Sequence, residues 1–178
     1  SIENVNTAAG NLDIYMTNQA GCSYCTDPTY SDEFWCLEVG STNQDDVLDA
    51  TWEFSTTIED EIACDEVNGD WFNGEVGGFQ FELLGIEIAG ATAPEGMMAS
   101  TSLTTVLAFS LTGATIPPGE GVLTQVSFSN FDGIDICFGT DPTSNVISDA
   151  DGSEADAYWG DCYCESGIYD CAGVCDGT

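Results

Sequence analysis

The chain has 178 residues, 32 of them acidic, and no lysine, arginine or histidine, so its formal net charge is −32. That charge repels nucleic acid and anionic membrane surfaces. Without histidine there is no Ser-His-Asp triad, no Cys-His pair and no imidazole zinc site. Without lysine there is no Schiff base, P-loop or lysine isopeptide bond, and without arginine no bidentate anion clamp.

The chain is 43% hydrophobic and 11% aromatic, enough to drive collapse despite the charge. It has no run of about 18 apolar residues, so no membrane insertion is expected. Ser1 opens into polar sequence, compatible with a signal peptide already removed.

In chain order, strand-like alternation begins at 12–16, Leu-Asp-Ile-Tyr-Met. Residues 19–75 lose that periodicity and are rich in Cys, Asp, Glu and aromatics. They read as an insertion, with one short helix expected at 43–50, where Asp45 and Asp46 favour its N-terminus. Alternation returns at 79–83, with Phe79, Phe81 and Leu83 on one face, and again at 86–88. Residues 106–111 form a strand expected to point Leu107, Phe109 and Leu111 inward. Residues 122–128 are expected to place Val122, Val126 and Phe128 on one face. Shorter candidates follow at 134–138, 145–147 and 155–159. Turn signals such as Gly77-Gly78, Pro117-Pro118-Gly119, Asp132-Gly133 and Asp151-Gly152 separate these strands. Several short strands at this spacing predict an all-β antiparallel β-sandwich. The sandwich is assigned to 1–18 and 76–161, the disulfide-tied insertion to 19–75, and a Cys-rich tail or linker to 162–178.

Nine cysteines point to an oxidising compartment. Zinc is the weaker alternative, because Cys22-x-x-Cys25 and Cys162-x-Cys164 lack a clean two-plus-two pattern. The odd count leaves at least one cysteine free or bonded to another chain. Cys137–Cys162 is the first pairing expected, joining the 134–138 strand to the exit from the sandwich. Cys171–Cys175 is a plausible local bridge, and Cys22, Cys25, Cys36 and Cys64 are expected to pair among themselves.

The leading metal candidate is the loop of Asp149, Asp151, Glu154 and Asp156. Carboxylates spaced by two around Gly152 can converge on calcium. The alternative is a solvated Asp-Gly turn. Asp132, Asp135 and Asp141 form a second acidic set, Asp45, Asp46, Asp49 and Glu53 a third, and Glu59–Glu61 with Asp65 and Glu66 a fourth. Tyr24, Tyr30, Phe34 and Trp35 share one cysteine-bounded loop. They either stack on sugar rings or form the insertion's small core.

The segments 76–83, 107–123, 136–138 and 149–162 resemble cohesin-like modules of large secreted proteins from aquatic microbes. The terminal Asp170-Cys-Ala-Gly-Val-Cys-Asp-Gly177 is similar to short repeats that follow such modules. The resemblance covers roughly residues 10–18 and 76–165. It implies a jelly-roll or Ig-like sandwich of about nine strands working in adhesion or assembly. The 19–75 insertion departs from the cohesin pattern and could cover or replace a dockerin-binding face. The resulting expectation is a non-catalytic, extracellular or cell-surface structural protein, calcium-binding and associating with copies of itself. The alternative is a module that binds carbohydrate or a dockerin-like partner.

Overall fold

A computed structural model describes residues 1–40, 50–141, 143–169 and Cys175. The helix expected at 43–50 and the acids Asp45, Asp46 and Asp49 lie outside the described residues, apart from Ala50. The elements run β1 (Ile2–Asn6), β2 (Asn11–Asn18), β3 (Gly21–Cys25), α1 (Glu33–Glu38), β4 (Trp52–Ser55), α2 (Glu61–Asp65) and β5 (Asp70–Phe72). They continue with β6 (Val76–Leu84), β7 (Glu87–Ala91), β8 (Met98–Thr101), β9 (Thr105–Phe109), β10 (Gly119–Ser129), β11 (Asp135–Phe138), β12 (Val146–Asp149), β13 (Glu154–Ala155) and β14 (Tyr163–Cys164). The chain is all-β in class and divides into two units, Ser1–Thr17 with Val76–Thr178, and Asn18–Glu75.

The first unit is an antiparallel sandwich. One sheet has the order β1-β2-β10-β7. The other is organised around β6, which pairs with β12, β11 and β9; β13, β14 and β8 extend it outward. The first sheet contributes Leu12, Ile14, Ile88, Val126 and Phe128 to the core. The second contributes Phe79, Phe81, Leu83, Ile136 and Phe138. Phe81 is fully buried and meets Phe138 edge to face at 5.8 Å, with Trp159 tilted against both rings. Gly85, at φ +87°, turns the chain from β6 into β7. A Cβ there would lie 2.0 Å from the Asp135 carbonyl oxygen, so no other residue fits.

Two facing assignments from the alternation are corrected. In β9 the buried residues are Val106 and Ala108, both 0% exposed, whereas Leu107, Phe109 and Leu111 face solvent. The reason lies across the strand pair. Ala108 stands opposite Phe79 and Val106 opposite Phe81, and the small residues leave room for the two rings. In β10, Val122 is exposed while Leu123 and Thr124 are buried in succession. Thr124 is accommodated because its hydroxyl donates to the Thr92 carbonyl oxygen at 2.6 Å.

Two element assignments also change. The 155–159 strand shortens to β13, and Trp159 packs in the core from irregular chain. The segment set apart as a tail enters the sheet: Tyr163 and Cys164 of β14 pair with Ile136 and Asp135.

The second unit holds a three-stranded sheet, β4-β3-β5, and two short helices. Asp32 caps α1 by accepting the Trp35 N–H at 3.2 Å, and Asp60 caps α2 by accepting the Ala63 N–H at 2.9 Å. Among its described residues the buried apolar groups are Cys22, Cys25, Cys36, Cys64 and Ala50. Tyr30 and Trp52 pack against Cys25, Cys36 and Ala50.

Four disulfides brace the units. Cys22–Cys64 and Cys25–Cys36 tie the second, and Cys137–Cys162 and Cys164–Cys175 tie the first. Cys175 is therefore not bonded to Cys171. Pairing of β14 with β11 holds Cys164 near Ile134, whose carbonyl oxygen lies 3.4 Å from the Cys175 sulfur. The Cys164 and Cys175 α-carbons are 5.6 Å apart, a normal bridging distance. Cys171, the remaining cysteine, lies outside the described residues.

Candidate functional site

The acidic residues of the first unit are arranged along its turns and outer faces. In the 149–156 loop, β12 and β13 form a hairpin that Asp149 closes. Its Oδ1 accepts the N–H groups of Asp151 at 2.9 Å and Ser153 at 2.8 Å, and its backbone N–H donates to the Ser153 carbonyl oxygen at 2.8 Å. Gly152 supplies the positive φ, +86°, that the turn needs. Asp151, Glu154 and Asp156 are exposed around it. Asp149, expected as an ion ligand, thus serves as an acceptor for its own loop's backbone.

Other acids behave alike. Asp132 Oδ1 accepts the Ile134 N–H at 2.9 Å. Asp135 is a strand residue opposite Cys164. The two Asp-Pro-Thr sequences, 27–29 and 141–143, build the same device. Asp27 accepts the Thr29 N–H at 2.9 Å, and Asp141 accepts the Thr143 N–H at 2.9 Å and its hydroxyl at 2.7 Å. The threonine hydroxyl and then the backbone N–H hold both aspartates below the ordinary carboxylate pKa, because both bonds favour the charged form. Among the described residues no three or more Cys, Asp or Glu side chains converge in a way that could hold a metal ion.

A shallow depression lies along β2, β10 and β7, where Asn11, Asp13, Thr92, Gln125 and Ser127 line it together with Leu12, Ala91 and Val126. Its one carboxylate is fully engaged. Asp13 Oδ1 accepts Gln125 Nε2 at 2.9 Å, and Oδ2 accepts Asn4 Nδ2 at 2.8 Å.

The aromatic loop divides. Tyr30 packs into the small core of the second unit, and Tyr24 is half-buried on β3. Phe34 and Trp35, on α1, are exposed, with ring centroids 5.4 Å apart at 83°. Together with Leu37, Phe54 and Ile62 they are the exposed large apolar side chains among that unit's described residues.

Sequence reasoning missed the caps Asp32 and Asp60. Each is an aspartate whose third following residue donates to it, a spacing legible in the sequence. It also missed the Tyr163–Glu165 pair. The Tyr163 hydroxyl donates to Glu165 Oε2 at 2.6 Å, and this bond, then slight burial and the nearby charge, raises the phenol pKa above its ordinary value.

Compared with protein-family models, curated proteins and solved structures, the chain has no match. The cohesin resemblance therefore rests on the quoted segments alone, and function is argued from the chain's own residues. Four disulfides indicate folding in an oxidising environment. Among the described residues no helix is long and apolar enough to cross a membrane.

Proposed function

We propose that this chain is a non-catalytic extracellular structural protein, a subunit that associates with copies of itself in a filament or surface array, with calcium as counterion to its acidic faces. One observation carries the reading: eight of the nine cysteines and several of the aspartates are committed to holding the fold. Eight cysteines are in disulfides. Asp13, Asp27, Asp32, Asp60, Asp132, Asp141 and Asp149 accept hydrogen bonds from neighbouring backbone or side-chain donors. No lysine, arginine or histidine exists to complete an acid–base pair.

Calcium follows from charge. Copies carrying −32 each repel, and none presents a basic side chain to another, so bridging cations at carboxylate-rich surfaces favour association. The test is electron microscopy and sedimentation of the full chain in calcium and in EGTA at one ionic strength. Ordered assemblies in calcium that dissociate in EGTA are expected. Monomer under both conditions overturns the reading.

A second reading, a carbohydrate-binding adhesion module, is favoured by Phe34 and Trp35, two exposed rings on one short helix. Glycan binding that Trp35→Ala removes would support it over the first.

A further inference from the structure

We infer that the surface of the β8–β9 hairpin is where a second copy of this chain docks. This rests on the assembly reading above and names its contact.

The first observation is where the charge is missing. From Gly96 to Gly119, twenty-four residues in succession carry no acid, the longest such run in the chain, where this chain's own acid fraction would place about four. That run contains β8 and β9. Residues opposite one another on neighbouring strands share a face. Met98 stands opposite Phe109, which stands opposite Gly78; Ser100 stands opposite Leu107, which stands opposite Gln80. On β8 and β9 this outward face bears no charge; the same face of β6 carries Glu82, opposite Thr105.

It is also apolar and open. Met98 is 46% exposed, Leu107 37% and Phe109 36%. Leu107 and Phe109 are side chains that alternation assigned to the core and the structure turns outward.

The second observation is the edge. β8 pairs with β9 and, among the described residues, with no other strand. Natural edge strands are blunted by charge. Here β1 carries Glu3, β7 Glu87, β13 Glu154, β4 Glu53 and β5 Asp70, and the two-residue β14 is flanked by Asp161 and Glu165. Among the described residues β8, Met-Ala-Ser-Thr, is the one edge strand longer than two residues without an acid. It is also held in place, since the Leu103 carbonyl oxygen in the β8–β9 turn accepts the Ile88 N–H of β7 at 2.7 Å.

Charge selects the occupant. A basic partner would be drawn to the acidic surfaces and gains nothing from this face. A second copy has the opposite need, because it is repelled wherever acid meets acid and must meet its twin where both are uncharged. The same patch on each copy meets that condition, which makes the contact isologous. The β8 edges of the two copies pair and set the register, which brings Met98 and Ser100 of each copy beside those of its twin and shields apolar surface around Met98.

The experiment is sedimentation of the full chain across a concentration series in calcium, for the wild type, Ser100→Glu, Ser100→Glu with Leu107→Glu, and Ile62→Glu as a control on an exposed apolar residue elsewhere. Thermal melting checks each fold. Acid facing acid across the contact is expected to weaken association at least tenfold in both Ser100 variants while Ile62→Glu associates like the wild type. Ser100→Glu, at an exposed position, carries the test should the double variant melt early. A wild type that associates together with variants that associate equally overturns this contact and leaves the assembly reading standing. Weakening by Ile62→Glu alone moves the contact to the other unit and also overturns it. A wild type that stays monomeric defeats both.

Discussion

Replacing Cys22, Cys25, Cys36 and Cys64 with alanine is expected to unfold the Asn18–Glu75 unit while leaving the sandwich folded. That unit has no buried leucine, isoleucine, valine, phenylalanine or methionine among its described residues, and its interior is largely cystine sulfur. Closing the 42-residue separation of Cys22–Cys64 is worth about 4 kcal/mol in the chain-entropy account, and the 11-residue separation of Cys25–Cys36 about 3 kcal/mol. A unit of 58 residues has a total stability of roughly 3–9 kcal/mol at ordinary values per residue. Losing both bonds removes most or all of it. The sandwich keeps both of its disulfides in this variant, and its core retains Phe79, Phe81, Phe138 and Ile136. Hydrogen exchange read by mass spectrometry on peptic fragments is the assay. Fragments spanning β3, β4 and β5 are expected to exchange as unfolded chain, and those spanning β6, β9 and β10 to stay protected. Retained protection in β3–β5 would refute the reasoning, and so would simultaneous loss in both units. Of the paired single-bond variants, loss of Cys22–Cys64 should cost about 1 kcal/mol more than loss of Cys25–Cys36.

Ala108→Leu should destabilise the sandwich by about 1–3 kcal/mol, because the added volume meets Phe79, whereas Leu107→Ala on the outer face should cost much less; chemical denaturation measures both. Thr143→Val and Thr29→Val should each raise the pKa of the neighbouring aspartate, followed by NMR. Because these folded-state values are depressed, the stability they contribute is present above the ordinary carboxylate range and lost as pH falls through the folded values. Glu165→Gln should lower the Tyr163 pKa in an ultraviolet titration. Here the folded value is raised, so the contribution is full below the ordinary phenol value and disappears as pH climbs through the folded one. Asp149→Ala should loosen the β12–β13 hairpin by about 1 kcal/mol, seen as faster exchange at the Asp151 and Ser153 amides.

Strand positions were largely legible in the sequence, and strand facing was legible only in part. The alternation at 12–16 and 79–83 is unambiguous because polar residues fill every second place. In 106–109, Val-Leu-Ala-Phe, every residue is apolar, so periodicity carries no phase and size suggests the wrong one. Phase is set by the partner strand, where Phe79 and Phe81 already occupy the space. Val122-Leu123 in β10 presents the same ambiguity. The insertion's sheet was illegible for a different reason. β3, β4 and β5 span three to five residues each; the buried positions of β3 are glycine, cysteine and serine rather than aliphatic, and β4 and β5 are too short to repeat a pattern, so no hydrophobic alternation exists to read. Cys164 was overlooked because its bond depends on β14 pairing with β11, a contact between residues nearly thirty positions apart.

The absence of basic residues has a structural counterpart in the amides. Positions where other proteins place lysine or arginine against an oxygen are filled here by neutral donors. Asn4 and Gln125 bind Asp13, and Asn130 Nδ2 donates to Glu87 at 2.6 Å. Asn18, nearly buried, donates to the Gly74 carbonyl oxygen at 2.6 Å, and Asn145 donates to the Gly139 carbonyl oxygen while its own Oδ1 accepts the Glu82 N–H. An amide satisfies the geometry of a hydrogen bond without cancelling charge. Each unit is thus locally satisfied: no buried side-chain nitrogen or oxygen among the described residues lacks a partner, and none of the buried residues is acidic. The net charge is nevertheless undiminished, and every described carboxylate residue is at least partly exposed. Local polar needs are met inside the chain and the long-range field is not, so its neutralisation has to come from solution. That division makes a cation the natural control on how closely two copies approach, and it makes an uncharged strand edge the place where they can touch.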